Sequence, residues 1–147
     1  MIIFGDVITW LKNHSKIICS VLCSEAIQDA KRNHSLFYNQ KAFQVPAADI
    51  CIEDIGFNWN WNGWGITFFV AEGHTNAGIC FEIGNSLFTG DTLLKDLRTV
   101  TKLFCGSKEK LVVTINRIKR LQGKGFYVYP GHGDGFDLDN YDLNKAL

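Results

Sequence analysis

Residues 57–61 alternate strictly: Phe57, Trp59 and Trp61 stand between Asn58 and Asn60, and Asn62-Gly63 follows before Trp64. Period-two alternation of apolar and polar residues marks a strand with one apolar face. Asn-Gly is the preferred pair for a two-residue type I′ turn, because both residues tolerate positive φ. A turn at Asn62-Gly63 sets Trp61 opposite Trp64, Trp59 opposite Ile66 and Phe57 opposite Phe68. All three pairs then share one face, so turn chemistry and hydrophobic pattern specify the same register. Core packing is the reading this aromatic stripe favours.

Other elements are placed around that hairpin by shorter signals. Val7, Trp10 and Leu11 fall at helical spacing from about Asp6 to Asn13, and residues 16–19 read as a short buried strand. Ser20 is placed to cap a helix running from Val21 to about Arg32, and Asn33 to Asp49, which contains Pro46, reads as a loop. Strands are expected at Ala77–Ile83 and Ser86–Thr89, with Gly84-Asn85 turning between them. Ser107 starts a long helix whose Leu111, Ile115 and Ile118 line one face; Gly123 and Gly125 end it. A last strand at residues 126–129 and a terminal helix from Leu138 to Leu147 complete an α/β (α+β) arrangement in which sheet and helices share a core.

With 147 residues and no linker or repeat, a single domain over 1–147 is expected. Lys+Arg and Asp+Glu number 15 each, for a formal net charge of +0. That balance gives no basis for nucleic-acid binding, which needs excess cationic side chains. No apolar run is long enough for a membrane helix and the first residues lack the pattern of a signal peptide. The five cysteines, Cys19, Cys23, Cys51, Cys80 and Cys105, contain no Cys-x-x-Cys pair. Three of them lie inside apolar runs, so they read as buried thiols in a reducing, cytoplasmic setting.

Three residues share one context. His74, Asp91 and His132 each follow an apolar strand and each is preceded by glycine, in Glu72-Gly73-His74-Thr75, Thr89-Gly90-Asp91-Thr92 and Pro130-Gly131-His132-Gly133. Imidazole and carboxylate are donors that zinc or iron accepts. Singly, each has an ordinary explanation as a solvated loop residue or a cap; the threefold repetition points to a common site. These three motifs, in this order and at these intervals, resemble the carboxyl-terminal half of the metallo-β-lactamase superfamily, nearest the glyoxalase II-like hydrolases. The resemblance covers roughly Asp6 to Asp142.

That resemblance implies an αββα sandwich with a dinuclear metal site at one edge of its sheets. His74 would bind one metal, Asp91 would bridge both and His132 would bind the other, with metal-held hydroxide attacking an ester, thioester or amide carbonyl. The family's His-x-His-x-Asp-His motif has no counterpart: Ile2 and Ile3 stand where its last Asp and His would be, and His14 and His34 do not fill the gap. The expectation is therefore a truncated metallo-β-lactamase-type sandwich with an incomplete metal site. It would hold zinc (iron or manganese being the lesser candidates) weakly or not at all, with little or no hydrolase activity and no assignable catalytic residue. Two alternatives stand beside it: an active hydrolase completed by ligands from another chain, and a non-catalytic binding module. A homo-oligomer is expected through uncovered sheet edge or apolar surface, with neither nucleic acid nor membrane as partner and a small-molecule substrate that the sequence does not name.

Overall fold

A computed structural model describes residues 15–33, 35, 42–53, 56–102 and 105–147. These fall into two compact units, one drawn from residues 2–53 and the other from 54–147. The helix expected at Asp6 to Asn13, and also His14 and His34, lie outside the described residues.

In the first unit, strand β1 (Ile18–Ser20) leads directly into helix α1 (Val21–Ile27). Ser20 caps the helix as expected, its Oγ accepting from the Cys23 N–H at 3.2 Å. The helix stops at Ile27 rather than near Arg32. Asp29 turns its carboxylate onto the Lys31 N–H (2.8 Å), and such local side-chain bonds compete with helix continuation. Asn33 then ties the chain down, donating from Nδ2 to the carbonyls of Phe43 (2.8 Å) and Ile27 (3.4 Å). Strand β2 (Ile50–Ile52), which the sequence did not announce, pairs parallel with β1 and sets Cys51 beside Cys19. Cys51 is exposed, contrary to the expectation of a buried thiol.

The second unit is built on a sheet of β3 (Phe57–Trp61), β4 (Trp64–Val70), β5 (Ile79–Ile83), β6 (Ser86–Gly90), β7 (Tyr127–Pro130) and β8 (Phe136–Asp137), joined in that spatial order. The hairpin has the expected register, Phe57 with Phe68, Trp59 with Ile66 and Trp61 with Trp64. Its turn residues Asn62 and Gly63 have φ of 50° and 87°. Alternation sorts the strands' two faces. Phe69, Cys80, Leu87 and Val128 join Leu111, Ile115 and Ile118 of helix α2 (Lys108–Lys119) in one buried core. The other face carries a row of rings: Phe57, Phe68, Phe81, Phe88 and Tyr129 follow one another across the strands. Phe81 and Phe88 stack at 4.6 Å and 9°, and Phe88 and Tyr129 at 5.0 Å and 17°.

Two expectations need correction here. Toward its tip the hairpin is not core: Trp61 and Trp64 are 53% and 60% exposed, because the turn carries them past the buried Ile66 and Phe68. At the carboxyl end, residues 138–147 do not form one helix. Strand β8 precedes them, a turn follows in which Asp137 accepts from the Asp139 N–H, and only a 3₁₀ helix (Leu143–Ala146), capped by Asp142, stands at the end.

Candidate functional site

The sheet topology brings the three Gly-preceded residues together. β4 is antiparallel to β5, β5 is antiparallel to β6, and β6 is parallel to β7. Strands β4, β6 and β7 therefore run the same way and release their following loops at one end of the sheet. Those loops carry His74, Asp91 and His132.

Asp91 is the centre of the group. Its turn is anchored from both sides: the Thr92 N–H bonds the Thr89 carbonyl (3.1 Å), and the Thr89 hydroxyl donates to the Leu93 carbonyl (2.9 Å). Thr89, Thr92 and Leu93 are all buried, which holds the intervening Asp91 side chain at the loop's outer surface. Its Oδ1 lies 2.7 Å from His132 Nδ1, and its Oδ2 lies 3.8 Å from His74 Nε2. Each carboxylate oxygen thus faces one imidazole. The side chains of Asp91 and His74 are 19% and 23% exposed and that of His132 is 52% exposed, so the group opens to solvent on the His132 side.

The tautomer of His74 is fixed by its neighbour. His74 Nδ1 sits 2.8 Å from the Val100 carbonyl oxygen; a carbonyl only accepts, so Nδ1 carries the proton. Nε2 is left with its lone pair, 3.8 Å from a carboxylate oxygen that also only accepts. Bonding the outer ring nitrogen to a carbonyl is also how proteins orient metal-ligating histidines.

Nothing in the sequence pointed to Val100, because a backbone carbonyl carries no residue-type signal. Glu72 accepts from Lys110 Nζ at 2.6 Å. Its backbone carbonyl accepts from the Thr114 hydroxyl at 2.7 Å. With the Ser107 N–H bonded to the Gly73 carbonyl (2.9 Å), these contacts lock the His74 loop to the first turns of α2.

No protein-family model matches the chain. Over 86 residues it is 34% identical to a probable polyketide biosynthesis zinc-dependent hydrolase, BaeB, of Bacillus velezensis, a stretch covering 58% of this chain and 38% of that protein. Over 66 residues it is 36% identical to a probable polyketide biosynthesis zinc-dependent hydrolase, PksB, of Bacillus subtilis, covering 45% of this chain and 29% of the other. The matched stretches thus span less than two fifths of these relatives' length. Among solved structures, the B3 metallo-β-lactamase BLEG-1 superposes with a TM-score of 0.77 at 16% identity, over 88% of this chain and 63% of that one. An archaeal metallo-β-lactamase superfamily protein of Sulfolobus tokodaii gives 0.68 at 16%, over 90% and 57%. A protein solved in a di-iron-bound form, TTHA1623, gives 0.68 at 18%, over 87% and 62%. The chain has the metallo-β-lactamase superfamily fold.

In this metallo-β-lactamase-type chain the three donors suit a divalent ion by chemistry, two imidazoles and one carboxylate. Zinc takes nitrogen and oxygen ligands at about 2.0–2.2 Å, so the 3.8 Å span between His74 Nε2 and Asp91 Oδ2 admits one shared ion. His132 instead spends Nδ1 on the carboxylate. Among the described residues no group of three or more His, Cys, Asp and Glu side chains is arranged to hold a metal ion. The donor chemistry fits a cation, while the geometry is that of a hydrogen-bonded Asp91–His132 pair with His74 3.8 Å away.

Proposed function

We propose that His74, Asp91 and His132 form a cation-binding half-site of metallo-hydrolase type, and that these three residues alone do not support hydrolysis. The observation that carries this reading is the convergence of two imidazoles on one carboxylate, His132 Nδ1 2.7 Å from Asp91 Oδ1 and His74 Nε2 3.8 Å from Asp91 Oδ2, with His74 Nδ1 committed to Val100. The zinc-dependent description of the two sequence relatives agrees with it. His74 and Asp91 would hold the ion, with His132, kept beside them by Asp91 Oδ1, as the third donor. A bound divalent ion supplies Lewis acidity and an acidified water for attack on an acyl carbon. Asp91 sets the position of His132 through Oδ1, and the Val100 carbonyl sets the tautomer of His74. A catalytic zinc keeps three protein ligands and one open position, and a two-metal centre needs more than three; the half-site therefore reaches at most the first of these counts.

Elemental analysis for zinc, iron and manganese, on protein purified without chelator and after reloading, tests the reading. Wild type is expected to retain substoichiometric metal that Asp91→Ala loses, since Asp91 is the only anion of the trio. Metal content unchanged by that substitution refutes the assignment. Thioester and lactam hydrolysis with added zinc is expected at background level. Hydrolysis whose specific rate climbs with protein concentration would instead favour a site completed by ligands from a second chain.

A further inference from the structure

The loop that runs from Asp91 to Val100 is held by the carboxyl-terminal end of the chain. The Tyr141 hydroxyl donates to the Leu94 carbonyl and accepts from the Asp96 N–H, both at 3.0 Å. The Ala146 carbonyl accepts from the Thr99 N–H, also at 3.0 Å. Val100, whose carbonyl holds His74 Nδ1, is the next residue. Lys145 Nζ adds an ion pair to Asp96 Oδ1 at 2.6 Å, but both side chains are more than half exposed, and such pairs contribute little. The Tyr141 hydroxyl and the Ala146 carbonyl are therefore the ties that matter.

Both ends of this strap are themselves fixed. Asp96 has φ of 55°, in the left-handed region that non-glycine residues seldom occupy. Such a conformation persists where its surroundings over-determine it, and here the Asp96 N–H and carboxylate are both engaged. Thr99 is buried, and its hydroxyl donates to the Thr92 carbonyl at 2.9 Å, tying the two ends of the loop to each other. On the other side, the Tyr141 ring packs on Phe136 with centroids 4.3 Å apart, and its carbonyl accepts from Gln122 Nε2 at 2.9 Å. Leu143 and Ala146 are buried in one core with Leu111 and Ile118 of α2.

We propose that Tyr141 is a positioning residue of the half-site, and that residues 141–146 strap the loop so that the Val100 carbonyl stays on His74 Nδ1. The metal consequence rests on reading His74, Asp91 and His132 as a cation site; the effect on the His74 ring does not. A neutral His74 ring has one proton and two oxygens facing it, the Val100 carbonyl at Nδ1 and the Asp91 carboxylate 3.8 Å from Nε2. While the strap holds, the carbonyl keeps the proton on Nδ1, and Nε2 retains the lone pair that coordination needs. When the carbonyl withdraws, the proton moves to Nε2, where the carboxylate favours it. The ring then has no lone pair to offer on the Asp91 side.

Long-range proton–nitrogen correlation NMR of the metal-free full chain, recorded well above the pH at which imidazole is protonated, reads the tautomer directly. His74→Gln identifies the His74 signals. Wild type is expected to show His74 as Nδ1–H. Tyr141→Phe removes the hydroxyl and keeps a ring for Phe136; it is expected to move His74 toward Nε2–H and to weaken zinc binding by roughly 10–100-fold, the scale on which partners behind a metal ligand act. Thr99→Val, which cuts the tie between the loop's two ends, is expected to shift the tautomer in the same direction and serves where Tyr141→Phe does not fold. Ile118→Val lowers stability from the same core without touching the strap, and is expected to leave His74 as in wild type. A wild-type His74 found as Nε2–H, a tautomer unmoved in Tyr141→Phe and Thr99→Val, or an equal shift in Ile118→Val overturns the proposal. The expected tautomer shift in a protein whose wild type binds no zinc supports the strap and overturns the half-site, so the two readings fail separately.

Discussion

Gly73 and Gly131 precede two residues of the same trio, yet the absence of a side chain serves different ends at the two positions. Gly73 has φ of 140°, and a Cβ there would meet the Leu111 backbone at 2.5 Å from Cα and 2.8 Å from N. The loop lies against α2 only because nothing projects from it. At Gly131 a Cβ would run into Asp91 Oδ1, the atom that bonds His132, and would reach the Gly90 carbonyl carbon at 3.0 Å. Gly73→Ala is therefore expected to cost about 2 kcal/mol or more, from overpacking against fixed backbone together with an unfavourable φ; urea denaturation reads it as a lowered midpoint at unchanged slope. Gly131→Ala, whose backbone is not in the left-handed region, is expected to cost less stability but to displace the carboxylate. Its signature is loss of retained metal from a folded protein. Equal losses of stability in the two variants would show that Gly131 is a packing residue and not a support for Asp91. The glycine-plus-ligand repetition was visible in the sequence; which glycine faced backbone and which faced the carboxylate was not, since that depends on what the fold lays against each.

Strand and helix signals succeeded where chemistry and periodicity coincided and failed where only one was present. The β3–β4 hairpin was legible down to its register because Asn62-Gly63 and the aromatic alternation demand the same pairing. Helix α2 was legible because Ser107 caps it, accepting from the Lys110 N–H at 3.3 Å, and Leu111, Ile115 and Ile118 line one buried stripe. By contrast, β2 and β8 are three and two residues long, too short to show a period. The overrun of α1 past Ile27 came from reading propensity without seeing the turn that Asp29 and Asn33 impose. The hairpin also shows that pattern fixes a face without fixing its cover. Phe69 is fully buried, beneath the Arg117 guanidinium at 4.0 Å, whereas Trp61 and Trp64 are more than half exposed. Phe69→Ala is expected to cost about 3–5 kcal/mol, as buried aromatic truncations do. Trp61→Thr and Trp64→Thr are each expected to cost under about 1 kcal/mol, the scale of one cross-strand pair. Chemical denaturation of the three variants, at concentrations too low for self-association, checks the order, and a hairpin tryptophan as costly as Phe69 would place it in the core of the single chain.

At the scale of the whole molecule, the apolar surface of the 54–147 unit has consequences for assembly. Among the described residues β3 ends the strand order of its sheet, and its outward-facing residues include Phe57, 37% exposed, and Trp61. Trp64 adjoins Trp61 across the turn. A terminal strand offers unpaired backbone groups to a second strand, and proteins that stay monomeric commonly guard such strands with charge or proline. Here residues 57–64 contain neither. Electrostatics adds no opposition, since a formal net charge of +0 leaves two copies without long-range repulsion. Self-association through the β3 edge and the paired tryptophans is therefore expected, with one copy's hairpin against another's. A stable dimer buries about 1,200–2,000 Å² in total, more than two indole pairs supply, so the edge strand must contribute with them. Sedimentation velocity at micromolar concentration is expected to give a dimer or larger species. Replacing Trp61 and Trp64 by lysine is expected to shift it to monomer without unfolding, because both side chains already face solvent in the single chain. A monodisperse wild-type monomer at that concentration refutes the assembly. A dimer that survives the double substitution moves the contact off the hairpin, and retained metal in both species would show that the His74–Asp91–His132 trio works within one chain.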